Sequence, residues 1–138
     1  MQIQEFISLL NGDLALEYAA AIQYRQHGAV INDEYFAFSQ ELFDHADEEL
    51  EHAKKIAALI TFLGGTPGVM EGLAYVSADN LAMLQQDLDG EETAIARYSD
   101  RIDQALENKF YIALYDLSEI LSQEASHRTD LKSMLGRA

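Results

Sequence analysis

The sequence predicts an all-α fold, a four-helix bundle of two antiparallel hairpins joined by a long crossover between helices 2 and 3. Three observations carry this. No segment alternates apolar and polar residues as a half-buried strand does, and apolar residues instead recur at steps of three and four through four segments of roughly 25 residues. The strongest punctuation, Gly64-Gly65-Thr66-Pro67-Gly68, falls between the second and third of these segments, with a softer break from His27-Gly28 to Asn32-Asp33. Connections within each pair are short, whereas the stretch from Gly64 to Asn80 is long enough to run the length of a bundle.

Composition narrows the function. With 138 residues, 49% apolar, one Pro and eight Gly, the chain reads as a single domain over 1–138 with one core. A net charge of −15 repels phosphate backbones and anionic lipid heads, so neither nucleic acid nor a membrane surface is an expected partner. The absence of cysteine excludes a disulfide scaffold, a thiolate metal site and a thiol nucleophile. Met1-Gln2-Ile3-Gln4-Glu5 opens no basic-then-apolar leader, no run of about 18 apolar residues occurs, and a cytoplasmic location is expected.

Helices are expected near 2–28, 34–63, 80–106 and 108–136, with Asp33 as a candidate cap for the second and Ser77, Asp79 or Asn80 for the third. The first buried stripe reads Ile3, Ile7, Leu10, Leu14, Glu17, Ala21, Tyr24, an apolar seam interrupted by one carboxylate. The second reads Phe38, Leu42, His45, Glu49, His52, Ile56, Leu59, Leu63. The third reads Leu84, Leu88, Glu91, Ile95, Tyr98, Ile102, Ala105; turning Glu92 inward instead would bury Gln85 and Ser99, so Glu91 is the inward one. The fourth reads Phe110, Ala113, Leu117, Ile120, Glu124, His127, Leu131, Met134.

Buried carboxylates cost several kcal/mol each if unpaired, and no Lys or Arg lies on any stripe. Glu17 precedes Glu49 by 32 residues and Glu91 precedes Glu124 by 33, so the halves share one plan: Glu on one helix, Glu-x-x-His on the next. In an up-down bundle these groups converge at one level. Four carboxylates and two neutral imidazoles match two divalent cations, and the donors suit Fe or Mn, with Zn a further occupant. With 13 Glu and four His, chance supplies about 0.4 Glu-x-x-His pairs; this chain has Glu49–His52 and Glu124–His127, both on buried stripes.

At these residues the chain resembles the ferritin-like di-iron carboxylate bundles, and among them the bacterioferritins. The resemblance lies in Glu17-Tyr18-Ala19-Ala20-Ala21-Ile22-Gln23-Tyr24, Glu49-Leu50-Glu51-His52-Ala53, Met83-Leu84-Gln85-Gln86-Asp87-Leu88 ahead of Glu91, and Glu119-Ile120-Leu121-Ser122-Gln123-Glu124-Ala125-Ser126-His127. It implies two irons per chain, with Glu17 and Glu91 as terminal carboxylates, Glu49 and Glu124 as bridges, and His52 and His127 as one imidazole per iron. It further implies a ferroxidase that oxidises Fe(II) with O2 or hydrogen peroxide for iron storage or detoxification, in a homo-oligomer. Two departures refine the expectation. Leu50 stands where bacterioferritins place a haem-ligating Met, so haem is not expected by that route. Only Arg128 to Ala138 follow His127, too little for the fifth helix of a 24-subunit shell, which leaves a dimer or a dodecamer. The DNA-protecting mini-ferritins build their site between subunits and often carry a basic tail, features this chain lacks.

Tyr24 and Tyr98 lie seven residues beyond Glu17 and Glu91, about 10 Å along the axis. Tyr24 is expected to hydrogen-bond Glu91 and Tyr98 to approach Glu17, each then a candidate electron donor, with Tyr24 counted among the catalytic residues; a core tyrosine with a satisfied hydroxyl is the alternative. His45 is expected to back the site, to hold iron in transit, or simply to bond a neighbouring carboxylate. His27, near a helix end, is expected to be exposed. Asp44, Asp47, Glu48 and Glu51 read as an Fe(II)-attracting cluster or a solvated face, and Tyr18, Tyr35, Phe36, Phe62 and Tyr75, off the stripes, as a subunit interface. Competing functions are a rubrerythrin-like peroxidase, a di-manganese catalase, and a metal-stapled bundle with no catalysis.

Overall fold

The computed structural model describes residues 1–136. Four helices, α1 (Ile3–Val30), α2 (Ser39–Phe62), α3 (Asn80–Glu107) and α4 (Leu114–Met134), form the bundle, and no strand occurs among the described residues. α1 packs chiefly on α2 and α3 on α4. None of the helices is long and apolar enough to cross a membrane.

Two helices start later than their periodicity suggests. Asp33 does not cap α2; it takes a left-handed conformation, φ +52°, which a short polar side chain tolerates. The chain turns there and first winds as a 3₁₀ helix over Asp33–Phe38. Lys109, φ +62°, does the same ahead of α4, which follows a 3₁₀ turn at Tyr111–Ala113. Asp79 caps α3 by accepting from the Ala82 amide at 2.8 Å. α2 closes on Gly64, φ +94°; the Gly64 amide reaches Thr61 O and the Gly65 amide reaches Ile60 O at 2.9 Å, satisfying the last carbonyls. A Cβ at Gly65 would stand 2.6 Å from Ile7 Cγ2, so only glycine lets the crossover begin this close to α1.

The crossover then runs along α1. Gly68 N donates to Asn11 Oδ1 and Gly72 N to Ala15 O, both at 2.7 Å, and Tyr75 N donates to Gln23 Oε1 at 2.8 Å. Its cover reverses one expectation: His27 is fully buried, one ring nitrogen 2.9 Å from the Tyr75 carbonyl and the other 2.9 Å from Asp87. Position near a helix end implies exposure only where nothing lies over that end.

The core divides in two. Phe6, Leu10, Leu14, Ile56, Ile60, Leu117 and Ile120 fill one region, and Ile31, Leu42, Met83, Leu84, Leu88, Leu131 and Met134 fill the other. Buried ionisable residues of all four helices lie outside these two clusters, in a polar layer of the core.

Candidate metal centre

The stripe carboxylates converge in that layer. Glu17, Glu49, His52 and Glu124 form one set of donors and Glu49, Glu91, Glu124 and His127 a second, with the donor atoms of each set within 4.8 Å of one another. All six residues are buried, and Glu49 and Glu124 belong to both sets. Each imidazole turns Nδ1 inward: that of His52 is 3.3 Å from Glu124 and 3.5 Å from Glu17, and that of His127 is 3.0 Å from Glu49 and 3.3 Å from Glu91. The outer nitrogens are held as well, His52 Nε2 by Gln123 Oε1 and His127 Nε2 by Glu48 Oε2. Tyr24 donates to Glu91 Oε1 at 2.6 Å and Tyr98 donates to Glu17, so the two phenols cross between α1 and α3.

The donor set fits cations. Glu17 Oε2, Glu49 Oε1, His52 Nδ1, Glu91 Oε2 and Glu124 Oε1 are all buried without a well-aligned hydrogen bond, their nearest polar neighbours being one another and the facing imidazoles. Each such atom carries a desolvation penalty of about 1–3 kcal/mol or more, and five converging on two adjacent points is what a pair of ions would satisfy.

Residues 7–138 match the ferritin family, described as a ferritin-like domain. The chain belongs to the ferritin-like family. It is 29% identical over 131 residues to a bacterioferritin of Brucella melitensis, covering 94% of this chain and 81% of that protein. It is 36% identical over 98 residues to a bacterial ferritin of Paramagnetospirillum magnetotacticum, covering 70% of this chain and 60% of that one. Among solved structures, a ferritin-like di-iron carboxylate protein from Bacillus anthracis superposes with a TM-score of 0.92 at 29% identity, covering 98% of this chain and 99% of that one. Rhodobacter capsulatus bacterioferritin, described with a metal-free dinuclear site and a haem iron, superposes with a TM-score of 0.89 at 26% identity, covering 96% and 84%.

In this ferritin-like site protons would compete with any metal ion for the same atoms. Burial alone would lower both histidines, but the facing carboxylates of Glu124 and Glu17 carry His52 up to about 10, and those of Glu124 and Glu91 carry His127 to about 11. Burial, then the charges of Glu17 and Glu124, push Glu49 well above the carboxylate range, and burial with Glu124 raises Glu91 to about 8. Glu124 is lowered despite its burial, because both imidazoles face it at 3.3 and 3.4 Å. Burial and the neighbouring Glu91 and Glu17 keep Tyr24 and Tyr98 firmly protonated, as donors.

Several polar residues that support the site lie off the four stripes, Asp13 and Asp87 buried and Glu48 and Gln123 partly exposed. Asp13 lies one turn before Glu17 and is gripped by Arg101 Nε at 2.8 Å and Arg97 Nε at 3.1 Å. Asp87 lies one turn before Glu91 and bonds His27 and Gln23, each at 2.9 Å. Glu48 and Gln123 immediately precede the two shared glutamates. The signal that finds them is the internal repeat: adding 74 carries Asp13, Glu17, Gln23, Tyr24 and His27 to Asp87, Glu91, Arg97, Tyr98 and Arg101, and adding 75 carries Glu48, Glu49 and His52 to Gln123, Glu124 and His127. Glu92 faces outward and pairs with Arg128 at 3.5 Å. Phe36, Phe62 and Tyr75 are exposed, whereas Tyr18 and Tyr35 pack partly against the two apolar cores.

Proposed function

We propose that this chain is a ferroxidase of the ferritin and bacterioferritin type, oxidising Fe(II) with O2 or hydrogen peroxide for iron storage or detoxification. One observation carries the reading: two adjacent donor sets share a pair of carboxylates, and each has its own imidazole aimed inward. Glu17 and Glu91 would each hold one iron, Glu49 and Glu124 would be shared between the two, and His52 and His127 would supply one nitrogen donor apiece. Two Fe(II) held there supply one electron each, enough to reduce O2 to hydrogen peroxide or peroxide to water with uptake of two protons.

The protein's own groups set the conditions. Gln123 and Glu48 hold the rings by Nε2, so Nδ1 already faces the site and offers its lone pair, without a rotamer search, once an incoming ion displaces its proton. Tyr24 and Tyr98 orient the terminal carboxylates and are the oxidisable side chains bonded to the site. A cavity of about 430 Å³ between α1 and α3, walled by Leu16, Ala20, Leu73 and Ala94, reaches Glu17, Glu49, Glu91 and Glu124 and has the volume to hold a small oxidant beside them. The chain acts as a homo-oligomer in the cytoplasm.

The test is an anaerobic Fe(II) titration of metal-free protein followed by an oxygen pulse, with near-ultraviolet absorbance and particle mass recorded together. Two Fe(II) per chain oxidised in a fast phase, followed by uptake of many more into a large particle, is the expected result. Fast oxidation of two irons in a dimer that takes no more would assign a peroxidase or another di-iron enzyme instead, and tight Zn(II) binding without iron oxidation would leave a structural site.

A further inference from the structure

A second constellation of donors lies beside the first. Glu41 and His45 stand one turn apart on α2, and Asp130 follows His127 by three residues on α4; one donor atom from each lies within 4.8 Å of the other two. His45 is buried, with Nε2 3.1 Å from Asp130 Oδ2, while Glu41 and Asp130 are half-buried and reach solvent. The His45 ring stacks on His127, centroids 4.2 Å apart, so the group adjoins the proposed dinuclear centre.

The internal repeat shows what is unusual here. Adding 75 carries Asp44, His45 and Lys55 to Glu119, Ile120 and Asp130. On the opposite side of the bundle Lys55 bonds Glu119 and Ile120 fills a wholly apolar position, so the chain supplies its own cation there. On the His45 side the counterpart of the lysine is Asp130, and the counterpart of the isoleucine is an imidazole. No Lys or Arg pairs with Glu41 or Asp130 among the described residues. Burial, Asp130 and Asp44 raise the Glu41 carboxyl, as expected of acids crowded without a counter-ion. One nitrogen of His45 is also buried without a partner.

We propose that Glu41, His45 and Asp130 form a third metal site, open to solvent, that takes a divalent cation such as Fe(II) on its way to the dinuclear centre. Two carboxylate oxygens and one imidazole nitrogen suit that ion, and water completes its shell. With only three protein donors, two of them half-exposed, the site is the weakest of the three, as a transit station must be if it is to release its ion inward. This role rests on the ferroxidase reading; the site itself does not.

The experiment is calorimetric titration of the metal-free full chain with Co(II) under anaerobic conditions, which counts ions without turnover. Three Co(II) per chain are expected in the wild type. The weakest should disappear in E41Q/D130N, whose circular dichroism should be unchanged, and one should remain in E49Q/E124Q, which lacks both shared carboxylates. Equal stoichiometry in the wild type and E41Q/D130N overturns the third site. Two Co(II) in the wild type and none in E49Q/E124Q overturn it while leaving the dinuclear reading intact. A single Co(II), lost in E41Q/D130N, keeps the third site and sinks the dinuclear one.

Discussion

The half of the bundle made by α1 and α2 and the half made by α3 and α4 present matching inner groups and mismatched outer ones. Glu17 and Glu91, Glu49 and Glu124, His52 and His127, and Tyr24 and Tyr98 correspond one to one and face the same centre. Behind them, Asp13 is held by two guanidinium groups whereas Asp87 is held by an imidazole and an amide. His52 is backed by the amide of Gln123 and His127 by the carboxylate of Glu48. The lesson is that two like ions, if they share one pair of carboxylates as proposed, would require equivalent inner donors, while nothing would require their supports to agree. A carboxylate behind an imidazole raises its basicity more than an amide does, so the two halves are chemically unequal despite their common plan.

The largest effect should come from destroying what the halves share. E49A removes an oxygen donor from both sets, and fast oxidation of Fe(II) after an oxygen pulse should fall by about 100-fold or more, at the upper end of what even outer partners of a metal site cost. H52A, confined to one set, should still bind one metal ion per chain at that centre in an anaerobic Co(II) titration.

Acidification comes next and acts on both halves in the same direction. The metal-free site holds protons on His52 up to about 10, on His127 up to about 11 and on Glu91 up to about 8. Metal binding must expel them, so affinity rises with pH and falls on acidification through the neutral range, by about tenfold per pH unit for each proton released. Calorimetry in buffers of different ionisation enthalpy counts those protons. A value near zero would show that the imidazoles are already neutral.

The smallest and most informative change equalises the supports. E48Q gives His127 an amide partner like that of His52 and should weaken metal binding in that half by about tenfold, with little change in fold. Q123E should strengthen the other half. Competition with a chelator, read as the separation between the two stepwise constants, should narrow in E48Q and in Q123E alike.

Much of this architecture was legible from periodicity. The four helices, the long crossover and the inward turn of Glu91 rather than Glu92 follow from steps of three and four and the break between them, because a side chain's face in a helix is set by its index; the Tyr24–Glu91 and Tyr98–Glu17 bonds depend in addition on how α1 and α3 stand against each other. The helix starts were less legible, since left-handed turns at Asp33 and Lys109 depend on how the chain is handed to its neighbour. His27 was misplaced because its burial is created by a segment about 50 residues away, lying over α1. Glu48 read as one more member of an exposed acidic run; a half-exposed side chain that reaches inward past its own helix leaves no periodic trace.

By itself, then, the sequence determined which face of each helix is buried and that each half carries a carboxylate and a Glu-x-x-His within it. Only the tertiary structure decided that the four faces meet at one level, that Glu49 and Glu124 stand in both donor sets, and that Gln123 and Glu48 lock the two rings. The division has a physical cause. Periodicity is a property of one helix and its solvent, whereas distances between donors depend on how far each helix slides and turns against the other three, which close packing of Phe6, Leu42, Leu84 and Leu117 with their neighbours settles.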